Sequence, residues 1–361
     1  MNKQILFRFI SGSVIIGFVI LSGCAVVRSN AIENKKMGAI HEVTKDFVFG
    51  EVRPFPQCHA STLVRTNDGQ FLVAWFGGTH EKHDDVGIWI SKGKPSHWTA
   101  PVEIAKLREE PHWNPVLFKK PSGEIILYFK IGKTIDLWET WYKVSSDNGN
   151  TWSEAKELVP GDKGGRGPVR NKSIILSDGT WLAPASNELK GVWNAFVDRS
   201  EDEGKTWTST PFLKLNRDSV PGEGIIQPTL WESSPGKVHM LLRSSAGVIC
   251  RSDSYDNGKT WLPAYKTKLP NPNSGIDLTK LADGTLALVY NRDGKNWGNR
   301  RPIALATSTD NGKTWPTSID LETGVDGDEF SYPAIISYGD TVALTYTWKR
   351  KNIAFWMGVI K

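Results

Sequence analysis

Cysteine is scarce in this sequence, with three residues among 361. Cys24 lies at the end of an N-terminal apolar segment, which leaves Cys58 and Cys250 for the rest of the chain. Two cysteines are too few for disulfide bonds to stabilise a domain of this length, even in an oxidising compartment. We therefore expect both to be free thiols and the fold to depend on a large hydrophobic core.

The sequence also lacks a strong excess of charge of either sign. Lys and Arg number 44 against 39 Asp and Glu, and the charges are interspersed rather than collected in runs. This distribution argues against a nucleic-acid partner. A metal motif is missing as well, because the spacing of His80, His83, Asp84 and Asp85 matches none that binds metal. We expect neither a metal nor an organic cofactor.

An apolar stretch near the N-terminus predicts secretion. It runs from Phe9 to Gly23, after Lys3 and Arg8, and is too short to span a bilayer comfortably. We assign residues 1–23 to a signal peptide. The stretch ends in LSGC, which resembles the lipobox of bacterial lipoproteins. The resemblance implies a lipid on the thiol of Cys24, a linker over residues 24–40, and a membrane partner through this anchor.

Two details of this N-terminal prediction remain open. The chain is expected in the cell envelope, on either the periplasmic face or the outer-membrane surface. An ordinary signal peptide followed by a chance cysteine is the alternative to the lipid anchor.

One phrase recurs along the chain. Its closing tryptophans, Trp98, Trp152, Trp207, Trp261 and Trp315, are spaced by about 54 residues. Such regularity indicates repeated supersecondary units. The copies are SSDNGNTW (145–152), SEDEGKTW (200–207), SYDNGKTW (254–261), STDNGKTW (308–315) and the degenerate SKGKPSHW (91–98).

A second pattern, two apolar runs joined by a turn with Gly, has a similar period and predicts β-hairpins. Its six copies are TLVRTNDGQFLVAWF, PVLFKKPSGEIILYF, SIILSDGTWLAPA, PTLWESSPGKVHMLL, LTKLADGTLALVY and AIISYGDTVALTY. Six hairpins against five phrases indicate an incomplete last unit, which the alternating segment 42–52 can complete by closing a ring. The sequence predicts an all-β fold, a six-bladed β-propeller over residues 41–361, with seven blades as the alternative.

The phrase matches the Asp-box pattern S-x-D-x-G-x-T-W, and residues 40–361 resemble the sialidase-like superfamily of bacterial neuraminidase repeats. The resemblance implies that the boxes are scaffold, on the propeller face opposite the site. The site is then expected in the unrepeated residues that flank each hairpin. The catalytic candidates there are His59, His80, Arg170 and Tyr332, and the substrate-binding candidates are Trp113, Asn171, Gln227, Arg243, Asn291, Arg292 and Trp348.

These flanking residues suit an acidic carbohydrate. Several guanidinium groups at one mouth fit a carboxylate, because Arg binds its two oxygens as a pair and stays charged. The rings of Trp113 and Trp348 are candidates for stacking on sugar faces. We therefore expect an oligo- or polysaccharide that carries a carboxylate.

Part of the sialidase pattern of catalytic and carboxylate-binding residues can be matched to this sequence. The resemblance implies Tyr332 as nucleophile and Arg243 as the second arginine of the carboxylate triad. The third is Arg300 or Arg301, and the acid/base is Asp84 or Asp85. Two pieces depart from the family pattern. The R-I-P signature is absent, with Arg53 in VRPFP nearby, and Glu223 lies about one residue out of register.

Other phrases, CHAST, NPVLF, GPVRNKS, PNPNSGID and SYPAI, resemble a branch labelled predicted neuraminidase. That branch includes enzymes, described as rhamnosidases or lyases, that release terminal L-rhamnose from α-1,4-linked glucuronate. The resemblance makes His59 the prime catalytic residue, and this chemistry is the leading expectation. The alternatives are an exo-α-sialidase and a glycan-binding propeller without catalysis.

Overall fold

The computed structural model describes residues 39–361, which form six four-stranded antiparallel blades with one supplementary strand. Blade 1 contains β2 (Gln57–Arg65), β3 (Phe71–Gly78), β4 (Gly87–Lys94), β5 (His97–Trp98) and β6 (Val102–Ala105). Blade 2 contains β7 (His112–Lys119), β8 (Ile125–Ile131), β9 (Glu139–Ser145) and β10 (Lys156–Glu157). Blade 3 contains β11 (Ile174–Ile175), β12 (Trp181–Leu189), β13 (Val192–Ser200) and β14 (Thr208–Ser209).

The second half of the ring repeats this plan. Blade 4 contains β15 (Ile225–Ser234), β16 (Lys237–Ser244), β17 (Val248–Ser254) and β18 (Tyr265–Pro270). Blade 5 contains β19 (Asp277–Lys280), β20 (Leu286–Asn291), β21 (Ile303–Ser308) and β22 (Thr317–Glu322). Blade 6 contains β23 (Phe330–Tyr338), β24 (Thr341–Trp348), β25 (Asn352–Ile360) and β1 (Ile40–Phe47). Each predicted hairpin forms the first two strands of a blade, so the six-bladed prediction is confirmed.

The ring closes through β1, which confirms the predicted closure but ends at Phe47, so only residues 42–47 of the predicted segment 42–52 are in the strand. This strand pairs antiparallel with β25, from Ile40 opposite Ile360 to Phe47 opposite Ala354. Asp46 of β1 also accepts a 3.0 Å hydrogen bond from the indole nitrogen of Trp98 in blade 1. Residues from both ends of the described chain therefore complete one blade, which removes an exposed sheet edge.

The Asp boxes are turns between the third and fourth strands. In the box of blade 2, Asp147 accepts a 2.9 Å hydrogen bond from the backbone nitrogen of Thr151, and Gly149 adopts a φ of +82°. The neighbouring Asn148 accepts a 3.0 Å bond from the backbone of Asn67, in the hairpin turn of blade 1. The boxes therefore lie on the face of the hairpin turns, opposite the strand ends that carry the polar candidates.

The core lies between blades and is rich in aromatic side chains. At the seam of blades 6 and 1, Trp75 packs against Phe49 with ring centroids 4.9 Å apart. Cys58 and Cys250 are buried free thiols, as expected. The described helical structure is a 3₁₀ turn at Ile135–Leu137, and no helix within residues 39–361 has the length and apolar character needed to cross a membrane. The predicted signal peptide and Cys24 lie outside the described residues.

Candidate functional site

Four of the innermost strands carry a backbone irregularity at the same place. Their pairing register shifts at Ala60, Asn114, Gln227 and Tyr332, where φ is 58°, 37°, 53° and 52°. A left-handed conformation costs a non-glycine residue about 1–2 kcal/mol and clusters at functional sites. In β23 and β15 the shift brings Tyr332 and Gln227 together, with the Gln227 amide nitrogen 3.4 Å from the phenol oxygen. Because blades 4 and 6 are not neighbours, this contact lies at the centre of the ring.

Arg243 is the closest charged partner of Tyr332. Its Nη1 donates a 2.8 Å hydrogen bond to the phenol oxygen, and its Nε donates a 2.7 Å bond to Asn273. The rings of Trp193 and Trp297 flank the guanidinium, with centroids 5.0 and 5.8 Å from Cζ. Arg243 is only 4% exposed, so its geometry is fixed by these contacts.

Two further guanidinium groups lie over the ring of Tyr332. The Cζ atoms of Arg170 and Arg300 are 5.1 and 5.5 Å from the ring centroid. Burial alone would raise the pKa of the phenol, but the charges of Arg243 and Arg300 outweigh it and hold the pKa below its ordinary value. The site therefore stabilises the phenolate form of Tyr332.

Arg170 is a buried cation, and only part of its hydrogen-bond donors have a partner among the described residues. Its Nη2 donates a 2.8 Å hydrogen bond to the carbonyl oxygen of Pro333, directly after Tyr332. Its Nε and Nη1 are buried and find no hydrogen-bond partner in residues 39–361. Burial lowers the pKa of Arg170 to about 10, which still leaves it charged at neutral pH.

Glu329 organises the arginines at the edge of the site. It accepts hydrogen bonds of 2.9 Å from both Arg300 and Arg350. Burial would raise its pKa, yet the charges of Arg350 and Arg300 lower the pKa to about 2. Arg350 also donates a 2.6 Å bond to Glu81 of blade 1, which links the two blades beside Tyr332.

His59 packs directly on Tyr332. Their ring centroids are 4.2 Å apart, and His59 is 1% exposed, with its Nδ1 unpaired among the described residues. Burial, followed by the charges of Arg350 and Arg300, holds the pKa of the imidazole well below its ordinary value. The imidazole is therefore neutral at physiological pH.

Several residues predicted from the sequence do come together. His59, Arg170, Gln227 and Arg243 each contact Tyr332 at the centre of the ring.

The two predicted asparagines support the backbone of this cluster. Asn171 donates to the carbonyl oxygens of Gln227 and Pro228, at 3.1 and 3.0 Å. Asn291 donates a 2.8 Å bond to the carbonyl oxygen of Phe330, at the start of β23. The side-chain nitrogens of both asparagines are therefore engaged by the backbone rather than free for a ligand.

The two tryptophans predicted to stack on sugars pack against other parts of the protein. Trp113 is 2% exposed, donates to the carbonyl oxygen of Gly132 at 2.9 Å and packs on Trp138, so its ring belongs to the core. Trp348 packs against Phe47, with 5.1 Å between centroids, and lines a cavity of about 840 Å³ beside β1. This packing places Trp113 in the core and Trp348 beside β1, and the binding of a sugar by Trp348 stays a prediction.

Two predicted polar residues lie apart from Tyr332. Arg292 pairs with Asp320 on β22, the outermost strand of blade 5, so its charge points away from the ring centre. His80 is exposed in the loop before β4, where its Nδ1 lies 2.9 Å from the carbonyl oxygen of Glu81. The sequence predicted the loops of these residues but not the direction of their side chains.

The remaining sialidase-derived candidates are also engaged elsewhere. Arg301 pairs with Asp326, and Arg53 lies 3.3 Å from the carbonyl oxygen of Glu51. These contacts favour Arg300 over Arg301 as the third arginine.

The acidic candidates are held by local contacts. Burial would raise the pKa of Asp85, but hydrogen bonds from Thr79, including one of 2.6 Å from its hydroxyl, keep the pKa below its ordinary value. The backbone oxygen of Asp84 accepts a hydrogen bond from Lys106. Glu223 accepts a 3.2 Å bond from the indole of Trp297. No cluster of His, Cys, Asp or Glu in residues 39–361 has the arrangement of a metal site.

Sequence reasoning missed Arg350, Glu329, Trp193 and Trp297. One sequence signal could have located the centre, because three of the four left-handed positions precede Pro115, Pro228 and Pro333. Proline pushes the preceding residue out of the right-handed helical region. No comparable signal marks Trp193 or Trp297, whose roles depend on packing across blades.

Comparisons with known proteins agree with this architecture. The family model described as a BNR repeat-like domain matches residues 69–344. A sialidase of Paraclostridium sordellii is 26% identical over an alignment of 206 residues that covers 47% of this chain and 48% of that protein. The chain thus matches about half the length of this curated relative.

Solved structures show the same fold. A protein of unknown function from Dyadobacter fermentans gives a TM-score of 0.73 at 17% identity, over 89% of this chain and 99% of that one. The Hadza microbial sialidase Hz136 gives 0.70 at 19% identity, over 83% and 65% of the two chains. The NanB sialidase of Streptococcus pneumoniae gives 0.66 at 13%, over 86% and 69%. The chain belongs to the BNR repeat-like family of sialidase-like propellers.

Proposed function

We propose that this chain is an exo-acting glycosidase that removes a terminal carboxylated sugar of the sialic acid type from a glycan. The carrying observation is the phenol of Tyr332, which lies 2.8 Å from Arg243 and whose pKa the charges of Arg243 and Arg300 hold below its ordinary value. A tyrosine hydroxyl activated in this way suits an anomeric carbon that bears a carboxylate, because a carboxylate nucleophile would be repelled by the like charge.

The same arginines supply the recognition of the sugar carboxylate. Arg243 and Arg300 lie beside the phenol. The Cζ atom of Arg170 is 5.1 Å from the centroid of the Tyr332 ring, and the Nε and Nη1 of Arg170 have no hydrogen-bond partner among the described residues. Guanidinium groups bind carboxylates through paired hydrogen bonds and remain charged in a buried site. The proposal therefore assigns binding to the arginines and bond formation at the anomeric carbon to Tyr332.

We assign proton transfer to the leaving group to Glu188, whose buried carboxyl has the pKa direction that suits a general acid. Burial raises its pKa, and this effect exceeds the opposing influence of the Arg243 charge. Glu188 lines a cavity of about 340 Å³ together with Lys82 and Lys190. A carboxyl that stays protonated closer to neutral pH is the better general acid, whereas Asp85 is held ionised by Thr79.

The second candidate function is cleavage of rhamnosyl-glucuronate led by His59, which the sequence placed first. The contact of the neutral His59 ring with Tyr332, with its Nδ1 unpaired among the described residues, supports a role in proton transfer. The same arginines would neutralise the uronate carboxylate and acidify its C5 proton. We place this chemistry second because the environment of His59 strongly disfavours its protonated form.

The deciding experiment compares the two substrate classes on one preparation. Sialyllactose is assayed for free sialic acid, and rhamnosyl-glucuronate oligosaccharides for rhamnose and for the ultraviolet absorbance of unsaturated uronate. Release of sialic acid that Tyr332→Phe abolishes supports the proposal. The control is Tyr338→Phe, at the far end of the same strand, where the hydroxyl contacts only the Met357 sulfur in the described hydrogen bonds.

Three results would count against the Tyr332 chemistry. Full sialidase activity in Tyr332→Phe would exclude the phenol as nucleophile. Turnover of rhamnosyl-glucuronate alone would restore the second candidate. Binding of these glycans without turnover would leave only the non-catalytic lectin function.

A further inference from the structure

A second group of reactive side chains lies on the opposite face of the propeller, between blades 4 and 5. His239 Nε2 is 2.8 Å from the hydroxyl of Ser233, and His239 Nδ1 is 2.5 Å from the carboxylate of Asp253. A hydroxyl, an imidazole and a carboxylate in this order are the parts of an activated serine nucleophile. None of the three takes part in the Tyr332 site.

The backbone presents Ser233 to the histidine. In the hairpin of β15 and β16, Glu232 pairs with Val238 and Ser234 with Lys237, so Ser233 is the extra residue of a bulge. A bulge redirects one side chain out of the strand alternation. The Ser233 side chain consequently meets His239 on the neighbouring strand rather than following the pleat.

The neighbours of His239 select the tautomer that a general base requires. The Asn311 side-chain oxygen accepts a 2.7 Å bond from the indole of Trp231, so its amide nitrogen faces His239 Nε2, at 3.1 Å. Nε2 is therefore an acceptor, for Asn311 and for the hydroxyl of Ser233. Nδ1 lies 2.5 Å from the Asp253 carboxylate and 3.2 Å from Arg251 Nη2, and the carboxylate, as the closer group, favours the proton on Nδ1.

Asp253 is held in place as the orienting carboxylate. It accepts bonds of 2.9 Å from Arg251 Nε and 3.1 Å from the Tyr265 hydroxyl. Burial would raise its pKa, but the hydrogen bond with His239 and the charge of Arg251 bring the pKa below its ordinary value. The imidazole itself lies over Trp231, with 5.1 Å between centroids, which fixes the ring plane.

A cavity of about 770 Å³ opens on these residues. Lys237, Lys266, Lys268 and Lys313 line it, and so do the exposed rings of Tyr255 and Tyr265, 62% and 46% accessible. Among residues 39–361, Asp253 is the one acidic side chain in this lining, and it is engaged by His239 and Arg251. The cavity therefore suits a substrate with negative charge and a sugar face that can stack on tyrosine.

We propose that Ser233, His239 and Asp253 form a serine esterase site for acyl esters of acidic carbohydrates, separate from the Tyr332 site. The Ser233 oxygen bonds to the acyl carbon as its proton passes to His239 Nε2. The acyl carbon to sugar oxygen bond then breaks, and His239 returns the proton to the leaving sugar hydroxyl. Water then bonds to the acyl carbon as its proton passes to His239 Nε2, the bond between the acyl carbon and the Ser233 oxygen breaks, and His239 returns the proton to Ser233.

The test uses the whole chain with an O-acetylated acidic sugar, with p-nitrophenyl acetate, and with a fluorophosphonate probe. Ester hydrolysis is expected, with one modified serine, Ser233, identified by peptide mass spectrometry. Ser233→Ala should lower kcat/KM for the ester at least about a hundredfold. Ser234→Ala is the matched control, since Ser234 lines the same cavity without a hydrogen bond to His239, and it should keep the parent rate and labelling.

Tyr332→Phe separates this proposal from the glycosidase function, because it should leave ester hydrolysis unchanged. Ser233 is partly exposed in a bulge, so its replacement should preserve the fold, which circular dichroism checks. Ester hydrolysis that persists in Ser233→Ala would overturn the proposal. So would a folded parent protein that neither hydrolyses the esters nor reacts with the probe.

Discussion

The imidazole of His59 lies 4.2 Å from the ring of Tyr332, measured between centroids, although the two residues belong to the first and last blades of the propeller. Closure of the ring by β1 and β25 makes these blades neighbours. The contact explains how two candidates suggested by different resemblances occupy one site. It also makes the two chemistries separable by mutation.

For His59→Ala we expect kcat on sialosides to fall about tenfold, because Tyr332 loses a packed neighbour that positions its ring. The shape of the pH–rate profile should not change, since the pKa of His59 is held well below its ordinary value and the residue stays neutral across the assay range. The measurement is kcat against pH for both proteins, with His59→Gln as the conservative variant. A loss of a hundredfold or more, on rhamnosyl-glucuronate, would instead identify His59 as the proton carrier.

Replacement of Arg243 by Gln should raise KM and lower kcat together, because the guanidinium contacts both the substrate carboxylate and the phenol in the proposed mechanism. Since the Arg243 charge lowers the pKa of Tyr332, its removal should move that pKa upward. Ultraviolet difference titration of tyrosinate measures this shift. Arg292→Gln is the control, because Arg292 pairs with Asp320 on the outer strand and should change neither constant. Equal effects of the two substitutions would refute the assignment.

Glu329→Gln should lower the free energy of unfolding by about 3 kcal/mol at neutral pH, the scale for breaking a buried ion pair. The folded-state pKa of Glu329 is about 2, below its ordinary 4.5, because the charges of Arg350 and Arg300 outweigh burial. Its stabilisation is therefore complete above pH 4.5 and is lost as the pH falls toward 2. The difference between parent and variant should shrink over that window.

Urea unfolding at pH 7, 4.5 and 3 provides this measurement. Glu154→Gln is the matched control, because Glu154 is exposed and its replacement should change the free energy of unfolding little. A difference for Glu329→Gln that stays constant down to pH 3 would contradict the depressed pKa.

We also propose that the mature chain is anchored to a cell-envelope membrane by lipid on Cys24. Cys24→Ser should release the protein into the soluble fraction, and metabolic labelling with a fatty acid should lose its signal. Ser13→Ala, in the same apolar stretch, should keep the membrane fraction and the label. An unchanged distribution of Cys24→Ser would show that no lipid is attached there.

The sequence by itself determined the architecture of residues 39–361. The repeated phrase and the six hairpins are local patterns, since turn residues and strand alternation act over a few neighbouring positions. Ring closure also followed from the count of six hairpins against five phrases, because the last unit lacked an outer strand that segment 42–52 could supply. Five members of the central cluster were likewise named from their places beside the hairpins.

Only the tertiary structure decided which side chains turn inward. Like Tyr332 and Arg243, Trp113 and Arg292 lie beside a hairpin in the sequence. The ring of Trp113 nevertheless packs in the core, and the side chain of Arg292 reaches the outer strand of its blade. A single-residue shift of register reverses the face of a side chain, and its direction depends on packing against blades far away in sequence. The charge network of Glu329 and the pairing of Ser233 with His239 arise in the same way, from a bulge and from contacts between strands.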